Sequence, residues 1–553
     1  MNLKEKLISL LLVLIAFGAL IFWTGYVYIS FTDPVADFGG SYKEGMVGQP
    51  LYVNPLLSQT SEADAGLTQI IYNGLLKYDK NGNITNDLAS NYEISEDRKE
   101  YIFYLKEGIK WHDGHELLAD DIVFTINILQ DAAYKSPIRQ NWQGVKIEQI
   151  DSHSIKFILE NPYFGFLENL TVGILPKHIW ENIAPEKFSL AEYNLNPIGS
   201  GPYRFSDYQK DSGGNILSYN LVSFPEYFEG PAYISKVFFN FYLDEASLLN
   251  AYKKKEINGI SSISPAEVKD ISLIKSTNVH EFNMPRYFAV FFNQSKSVSL
   301  ANDEVRQALD FATDRNEIIE KVLFTKANIL YSPFLPQMQE SQGEGIEYHT
   351  FDLEKGNKIL SDSGWEIKDD GIREKDGNKL EFNLFTTDWP ELSQTAQILA
   401  DQWRKIGVKV NVQILTISDL QQNYVRPREY DALLFGQATS FDPDIYSFWH
   451  SSKKSDPGLN LSKFDNEQAD KILGEIREEF DRNKRIEKYR EFNKILLAEV
   501  PAVFLYSRNY LYPIGNQVKG VDIENISSSQ YRFSNINKWY VKTKRIFKNN
   551  GNK

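Results

Sequence analysis

Cysteine is missing from all 553 residues. No thiol can act as a nucleophile and no thiolate can hold a metal. A chain this long does not need disulfide staples, so the absence fits either side of a membrane. Basic charge is also short: 60 Lys and Arg stand against 74 Asp and Glu, a formal net charge of -14. Nucleic-acid partners are met with basic patches that displace counterions, so this balance speaks against one; solubility is the plainer meaning of the surplus acid. Seven histidines do not exclude a catalytic triad by number. Yet no G-x-S-x-G elbow and no H-E-x-x-H helix is present. Gly199-Ser200-Gly201 has no following glycine or lysine to hold a phosphate and reads as a tight turn. The many acids single out no glycosidase pair, and repeats and low-complexity segments are absent.

What is present begins with a charge-free run over residues 7–29. As a helix rising about 1.5 Å per residue it reaches roughly 34 Å, enough for a hydrocarbon core of about 30 Å. Lys4 and Lys6 precede the run and Asp33 and Asp37 follow it, so the positive-inside rule puts the N-terminus in the cytoplasm and the body outside. Trp23, Tyr26 and Tyr28 mark the outer end like an aromatic belt. A cleaved signal peptide is the alternative, but its apolar region is usually about 7 to 15 residues and ends at a small-residue site that is not evident here. An uncleaved single-pass anchor in the cell membrane is the favoured reading of residues 1–30. Residues 31–45, with Asp33-Pro34 and Gly39-Gly40, read as a flexible tether. The basic residues 541–553 read as a frayed, solvated tail, with contact to anionic lipid as an alternative.

Between these ends the chain alternates helices and strands and is long enough for more than one lobe. Residues 390–407 form an αβ unit. Pro390 starts a helix, Leu392, Ala396, Leu399, Trp403 and Ile406 keep helical spacing, Gly407 stops it, and VKVNVQI then alternates as a strand. Val305, Ala308, Leu309 and Ala312 mark another helix, residues 465–480 and 486–497 two more, and 502–506 an apolar strand. WHDGHELLADDIVFT, residues 111–125, joins a turn at Asp113-Gly114 to a helix starting at residues 119–121, where acids suit the positive end of the helix dipole. His112 and His115 are three apart, but Gly114 puts them in a turn and no third ligand is evident, so no metal site is expected.

As a string, that segment resembles the W-x-D-G-x-x-[LF]-x-A-x-D-V signature of the family 5 extracellular solute-binding proteins, the peptide-binding and related receptors of bacterial ABC importers. Residues 54–95 resemble the family's opening, 101–105 its usual strand, and GSGPYRF at 199–205 its G-[ST]-G-P-Y turn. Residues 287–322, with Phe292-Asn293, Val305-Arg306-Gln307-Ala308-Leu309 and Ala312-Thr313-Asp314-Arg315, resemble a further conserved segment. The matches run in order from about residue 54 to 512.

The resemblance implies an α/β, bilobal periplasmic-binding-protein fold (type II, cluster C-like) with an extra inserted domain, preceded here by one transmembrane helix. Carried over, lobe I covers 41–78, 198–285 and 515–540, domain II covers 79–197, and lobe III covers 286–514, with hinge crossings near Pro285 and Ile514. It implies a monomeric extracytoplasmic subunit without cofactor or catalysis. Such a subunit closes on an oligopeptide or related solute and delivers it to a permease driven by cytoplasmic ATPases. Many relatives are tethered by a lipidated cysteine; this chain has none, so its own helix is expected to anchor it. A membrane-anchored sensor or chaperone, or a surface hydrolase, are the alternatives on the same lobes.

Peptide-binding relatives grip the free amino end with an aspartate three residues before a D-P pair. In FGQATSFDPDIYSFW, residues 435–449, the pair is Asp442-Pro443 and the gripping position falls on Thr439. A hydroxyl cannot neutralise an ammonium, and losing one partner of a desolvated charge pair costs on the order of 2 to 5 kcal/mol. Asp442, three extended residues on at about 3.3 Å each, lies roughly 10 Å away. Thr439 and Asp442 are candidate contacts for a ligand held by other groups. Tyr287, Trp389, Tyr446 and Trp449 are candidates to line an apolar cleft, against the plainer reading that each belongs to a core.

Overall fold

A computed structural model describes residues 3–336, 338 and 346–548 of the chain. Three sheets organise the body. A mixed seven-stranded sheet runs in the order Thr277–Phe282, Tyr510–Gly515, Gly259–Ile260, Ser41–Val47, Lys236–Tyr242, Ile216–Ser223, Tyr203–Lys210. A six-stranded sheet runs Ala327–Ile329, Ala502–Arg508, Arg286–Phe292, Ala432–Ala438, Glu381–Thr387, Lys409–Leu415. Between residues 89 and 159 lies a four-stranded antiparallel sheet. It shares one continuous hydrophobic core with the seven-stranded sheet.

The six-stranded sheet is covered on both faces, and its sequence says why. Along Arg286–Phe292, Phe288, Val290 and Phe292 enter one core while Tyr287, Ala289 and Phe291 enter the other. A strand with period-two side chains and no solvent face must be apolar at every position. The helix Pro390–Arg404 covers one face, with Pro390 at its first turn, and the Trp403 indole donates to the Leu309 carbonyl at 3.0 Å. Gly407 then turns at φ +80° into the strand Lys409–Leu415. Helices also form at Asp303–Phe311, Glu467–Glu478 and Arg482–Glu499.

The signature at 111–125 is a structural clamp. The buried carboxylate of Asp121, in the first turn of Ala119–Gln130, accepts from the Trp111 indole at 3.3 Å, from the Leu118 amide at 3.0 Å and from the Lys177 amide at 2.8 Å. His112 is buried and both ring nitrogens meet the turn at 199–201: Nδ1 accepts from the Gly199 amide at 3.2 Å and Nε2 faces the Gly201 carbonyl at 3.0 Å. Burial pushes this imidazole down to about 4. It therefore stays neutral, and with both nitrogens engaged by the turn it has none to offer as a ligand beside His115. The two glycines of that turn press on the carbonyls of Ile71 and Ile70 so closely that any Cβ would overlap them. Gly199→Ala is expected to destabilise the protein by on the order of 3 kcal/mol through forced backbone movement. Calorimetry checks this, and an unchanged melting temperature would refute the close approach.

Three expectations are corrected. Residues 31–45 are not a loose tether. Thr32–Asp37 pairs antiparallel with Lys542–Phe547, and Ser41–Val47 is a strand of the seven-stranded sheet. For the same reason the basic tail is not frayed over residues 542–548; residues 549–553 lie outside the described residues. Local patterns could not reveal a pairing of segments some 500 positions apart. Pro34 is tolerated because this is a two-stranded ribbon, where a missing N–H need not break a ladder. Arg545 donates to the Thr32 carbonyl at 2.7 Å and the Ile29 carbonyl at 3.0 Å, capping the end of the helix Leu3–Phe31 with positive charge where the dipole favours it. That helix is long and apolar enough to cross a membrane.

The third correction concerns the second crossing between sheets. It falls at Asn509 rather than near Ile514: Arg508 still pairs with Ala327 in the six-stranded sheet, whereas Tyr510 already pairs with Phe282 in the seven-stranded one. Residues 502–515 read as one apolar run, so only the change of pairing partner marks the passage. The first crossing lies between Phe282 and Arg286.

Candidate ligand-binding cleft

Beside these two crossings, the bodies built on the seven- and six-stranded sheets enclose a cavity of about 460 Å³, within the range of small-ligand sites. From the first body come Val47, Glu62, Glu245 and residues 261–266; from the second come Val322, Phe324, Trp389, Glu391, Gln394 and Arg508. Each polar group is held by its own element. Glu62 opens the helix Glu62–Ile71 and accepts from the Tyr510 hydroxyl at 2.8 Å. Glu245 accepts from the Ser264 amide at 2.6 Å. Arg508, at the end of its strand, binds both oxygens of Glu391 at 2.5 and 2.6 Å.

Arg286 is half-buried at the first crossing, where burial, then the charge of Arg508, lowers its pKa, while Glu62 works the other way. It forms no ion pair among the described residues. The cleft thus carries Glu62 and Glu245 on its walls and the Arg508–Glu391 pair at its hinge end, with the Arg286 guanidinium near Arg508 behind it. Such a layout can receive a ligand carrying both charges, with apolar surface from Trp389 and Phe324 for the part between.

The residues singled out in the sequence are scattered by the fold. Trp389 lines the cavity and is 48% exposed, too open for a core residue. Tyr287 and Trp449 are corrected: both are fully buried, the first with its hydroxyl donating to Gln437, the second packed against Phe291 and Phe504. Neither has surface to offer a ligand: Tyr287 is on a strand covered on both faces, and Trp449 is the inward residue of the short helix Tyr446–Trp449. Thr439 ends the strand Ala432–Ala438 at the hinge, where its amide donates to the Pro285 carbonyl at 2.7 Å and its hydroxyl to the same oxygen at 3.3 Å. Asp442 is bound by Arg485. Tyr446 stacks on His450 with ring centroids 4.1 Å apart and lies under Arg477 at 4.8 Å.

Asp442 and Tyr446 belong instead to a second contact between the bodies, away from the cavity. The Phe441 ring presses on Gly82. Arg485 lies 4.2 Å above the Phe164 ring, and Arg477 pairs with Asp444 at 3.2 Å while covering Tyr163 at 5.4 Å. Glu168 bonds to Ser440; burial, with Asp442 and Asp444 nearby, pushes its carboxyl up to about 7. Glu62, Glu245, Glu391, Arg508, Arg286 and Glu168 were all missed in the sequence. They come from separate segments, and the one local hint was Trp389-Pro390-Glu391 at a helix start.

Residues 83–458 match the model of the bacterial extracellular solute-binding proteins, family 5 Middle. The chain is 28% identical to the oligopeptide-binding protein AppA of Bacillus subtilis (strain 168) over 513 residues, 91% of this chain and 92% of that protein. It is 24% identical to the dipeptide-binding protein of Escherichia coli (strain K12), covering 88% and 93%. Among solved structures, the ABC transporter substrate-binding protein CtaP of Listeria monocytogenes superposes with a TM-score of 0.79 at 26% identity, covering 91% of this chain and 99% of that one. AppA in complex with a nonapeptide superposes at 0.73 and 27%, covering 92% and 99%. With the family model matched over most of the chain and the whole fold superposing on these relatives, the chain belongs to the family 5 bacterial extracellular solute-binding proteins, the solute-capturing components of ABC importers.

Proposed function

We propose that this chain is a membrane-anchored receptor that binds without turnover, capturing an oligopeptide or a related zwitterionic solute in the cavity beside the two crossings. The single observation that carries the reading is that Glu62, Glu245, Glu391 and Arg508 line one cavity of about 460 Å³, with Arg286 close to Arg508. The names of the relatives, oligopeptide- and dipeptide-binding, support a peptide. Residues 41–78, 198–285 and 509–540 are lobe I, 79–197 domain II and 286–508 lobe III. The ligand's amino end meets the wall carboxylates rather than Thr439, whose hydroxyl is engaged by Pro285. Trp389 covers the ligand's backbone. Asp442 and Tyr446 act in closure, where differential contacts favour the liganded closed state. The closed monomer docks on a permease coupled to cytoplasmic ATPases. The N-terminal helix holds it at the outer face of the cell membrane, with the ribbon of residues 32–37 and 542–547 tying the helix to lobe I.

Thermal shift and calorimetry on the full chain in detergent test this, using short peptides, the same peptides acetylated or amidated, and oligosaccharides. Free peptides are expected to raise the melting temperature, as any ligand of the folded state does. Blocking either end is expected to weaken binding about tenfold or more, and Trp389→Ala to weaken all peptides by a similar factor. Equal binding of blocked and free peptides, or stabilisation by sugars alone, would sink the zwitterion reading.

A further inference from the structure

The turn that opens the signature carries a cluster outside the cleft. Gly114, at φ +93°, folds the backbone so that Asp113 and His115 project to the same side. The His115 amide donates to Asp113 Oδ1 at 3.2 Å and its carbonyl accepts from the Trp111 amide at 2.8 Å, which fixes the turn. His178 arrives from a distant element, the short helix Lys177–Trp180, which is held in place by the Lys177 amide on Asp121 and by Lys177 Nζ on Asp120 at 2.5 Å. His178 Nε2 lies 2.8 Å from Asp113 Oδ2 and His115 Nδ1 3.2 Å from Asp113 Oδ1. The two imidazole rings lie 4.2 Å apart, tilted by 31°.

We propose that Asp113, His115 and His178 form a surface site for one divalent transition-metal ion, zinc or a first-row neighbour. Their three donor atoms all lie within 4.8 Å of one another. A tetrahedral zinc with bonds of about 2.0 to 2.1 Å sets its ligand atoms roughly 3.3 Å apart, so the site closes on the ion with small ring movements, and His115 is free to move on an exposed turn. Two imidazole nitrogens and one carboxylate oxygen suit zinc, cobalt, nickel or copper; calcium and magnesium prefer oxygen throughout. The solvent side leaves room for water as the remaining ligand. None of the three residues lines the cleft cavity. The site bridges the signature turn and the 177–180 helix, so an ion there fastens two elements that otherwise meet through Asp120 and Asp121.

The test is titration of the metal-free full chain in detergent with Zn²⁺ by calorimetry and with Co²⁺ by visible absorption. One equivalent is expected to bind, with a Co²⁺ spectrum distinct from that of the aquo ion and a raised melting temperature. His115→Ala, an exposed position, and His178→Gln are each expected to weaken Zn²⁺ at least about tenfold, with the metal-free melting temperature of His115→Ala unchanged. Zn²⁺ affinity in both variants equal to that of the unaltered chain, or an unaltered aquo-ion spectrum, would overturn the proposal. Peptide binding by His115→Ala is expected to be intact, so failure here and failure of the cleft reading are separate results.

Discussion

Arg532→Ala is expected to remove on the order of 3 to 5 kcal/mol of folding stability, measured by denaturant or thermal unfolding. Arg532 and Glu44 both have fully buried side chains, and Nε of the first lies 3.2 Å from a carboxylate oxygen of the second. The guanidinium also donates to the Ser529 carbonyl at 2.7 Å, reaches Glu62 at 3.5 Å and lies 4.2 Å over the Phe533 ring. The Tyr42 hydroxyl and the Tyr512 hydroxyl, the latter at 3.0 Å, complete the shell of Glu44. A buried pair like this contributes little over an apolar one, but deleting one member strands the other.

Burial already pushes the Glu44 carboxyl up, against the opposing pull of Arg532 and the tyrosines. Without Arg532 only the tyrosine hydroxyls oppose the upward push. A carboxyl raised in the folded state contributes stability that is present below its unfolded value and is lost as pH rises through its folded value. The variant is therefore expected to be weakest at neutral and alkaline pH, and Arg532→Ala with Glu44→Gln to recover part of the loss. A deficit under about 1 kcal/mol at neutral pH would refute the buried pair.

The second expected result is a pH-dependent closure centred on Glu168. Its carboxyl faces Ser440, Asp442 and Asp444 across the contact between the bodies, with Arg477 and Arg485 engaged by the two aspartates and Tyr78 and Tyr531 behind it. Burial, then the two aspartates, raises it to about 7 from an ordinary 4.5. Protonated Glu168 thus favours the closed arrangement. The contribution is fully present below about pH 4.5 and is lost as pH rises through about 7.

Opening exposes Glu168 and removes the aspartates, so the closing equilibrium is expected to fall roughly tenfold to a hundredfold between pH 5 and pH 8. Distance measurements between labels on the exposed residues 97 and 484, one on each body, would read it. Glu168→Gln is expected to flatten the profile and keep the unliganded chain closed at pH 8. A profile unchanged by that substitution would dispose of the idea.

The two results concern residues of opposite visibility. Trp111, Gly114 and Asp121 stand in a readable string, and the helix Ala119–Gln130 begins where that string places it, because turn and cap preferences act over three or four residues. The period-two apolar pattern of 286–292 and the helical spacing of 390–406 were legible for the same reason: local geometry repeats in sequence. Glu44 and Arg532 are unremarkable as letters and lie 488 positions apart, and Glu168 sits in the short helix Phe166–Asn169 that no motif marks.

The signature, its order and the apolar N-terminal run were therefore enough to establish the family, the α/β class and a helix able to cross a membrane, since each depends on neighbours along the chain or on composition. Packing was needed for everything that depends on neighbours across it. It withdrew Tyr287 and Trp449 into cores and moved the second crossing to Asn509. It turned the expected tether into a paired ribbon. Carboxylates and guanidiniums from remote segments met around one cavity, and His178 came to lie beside Asp113. Burial and charge proximity are properties of the folded chain, and burial sets the pKa of His112 and Glu168 while Arg532 and the neighbouring tyrosines oppose it at Glu44.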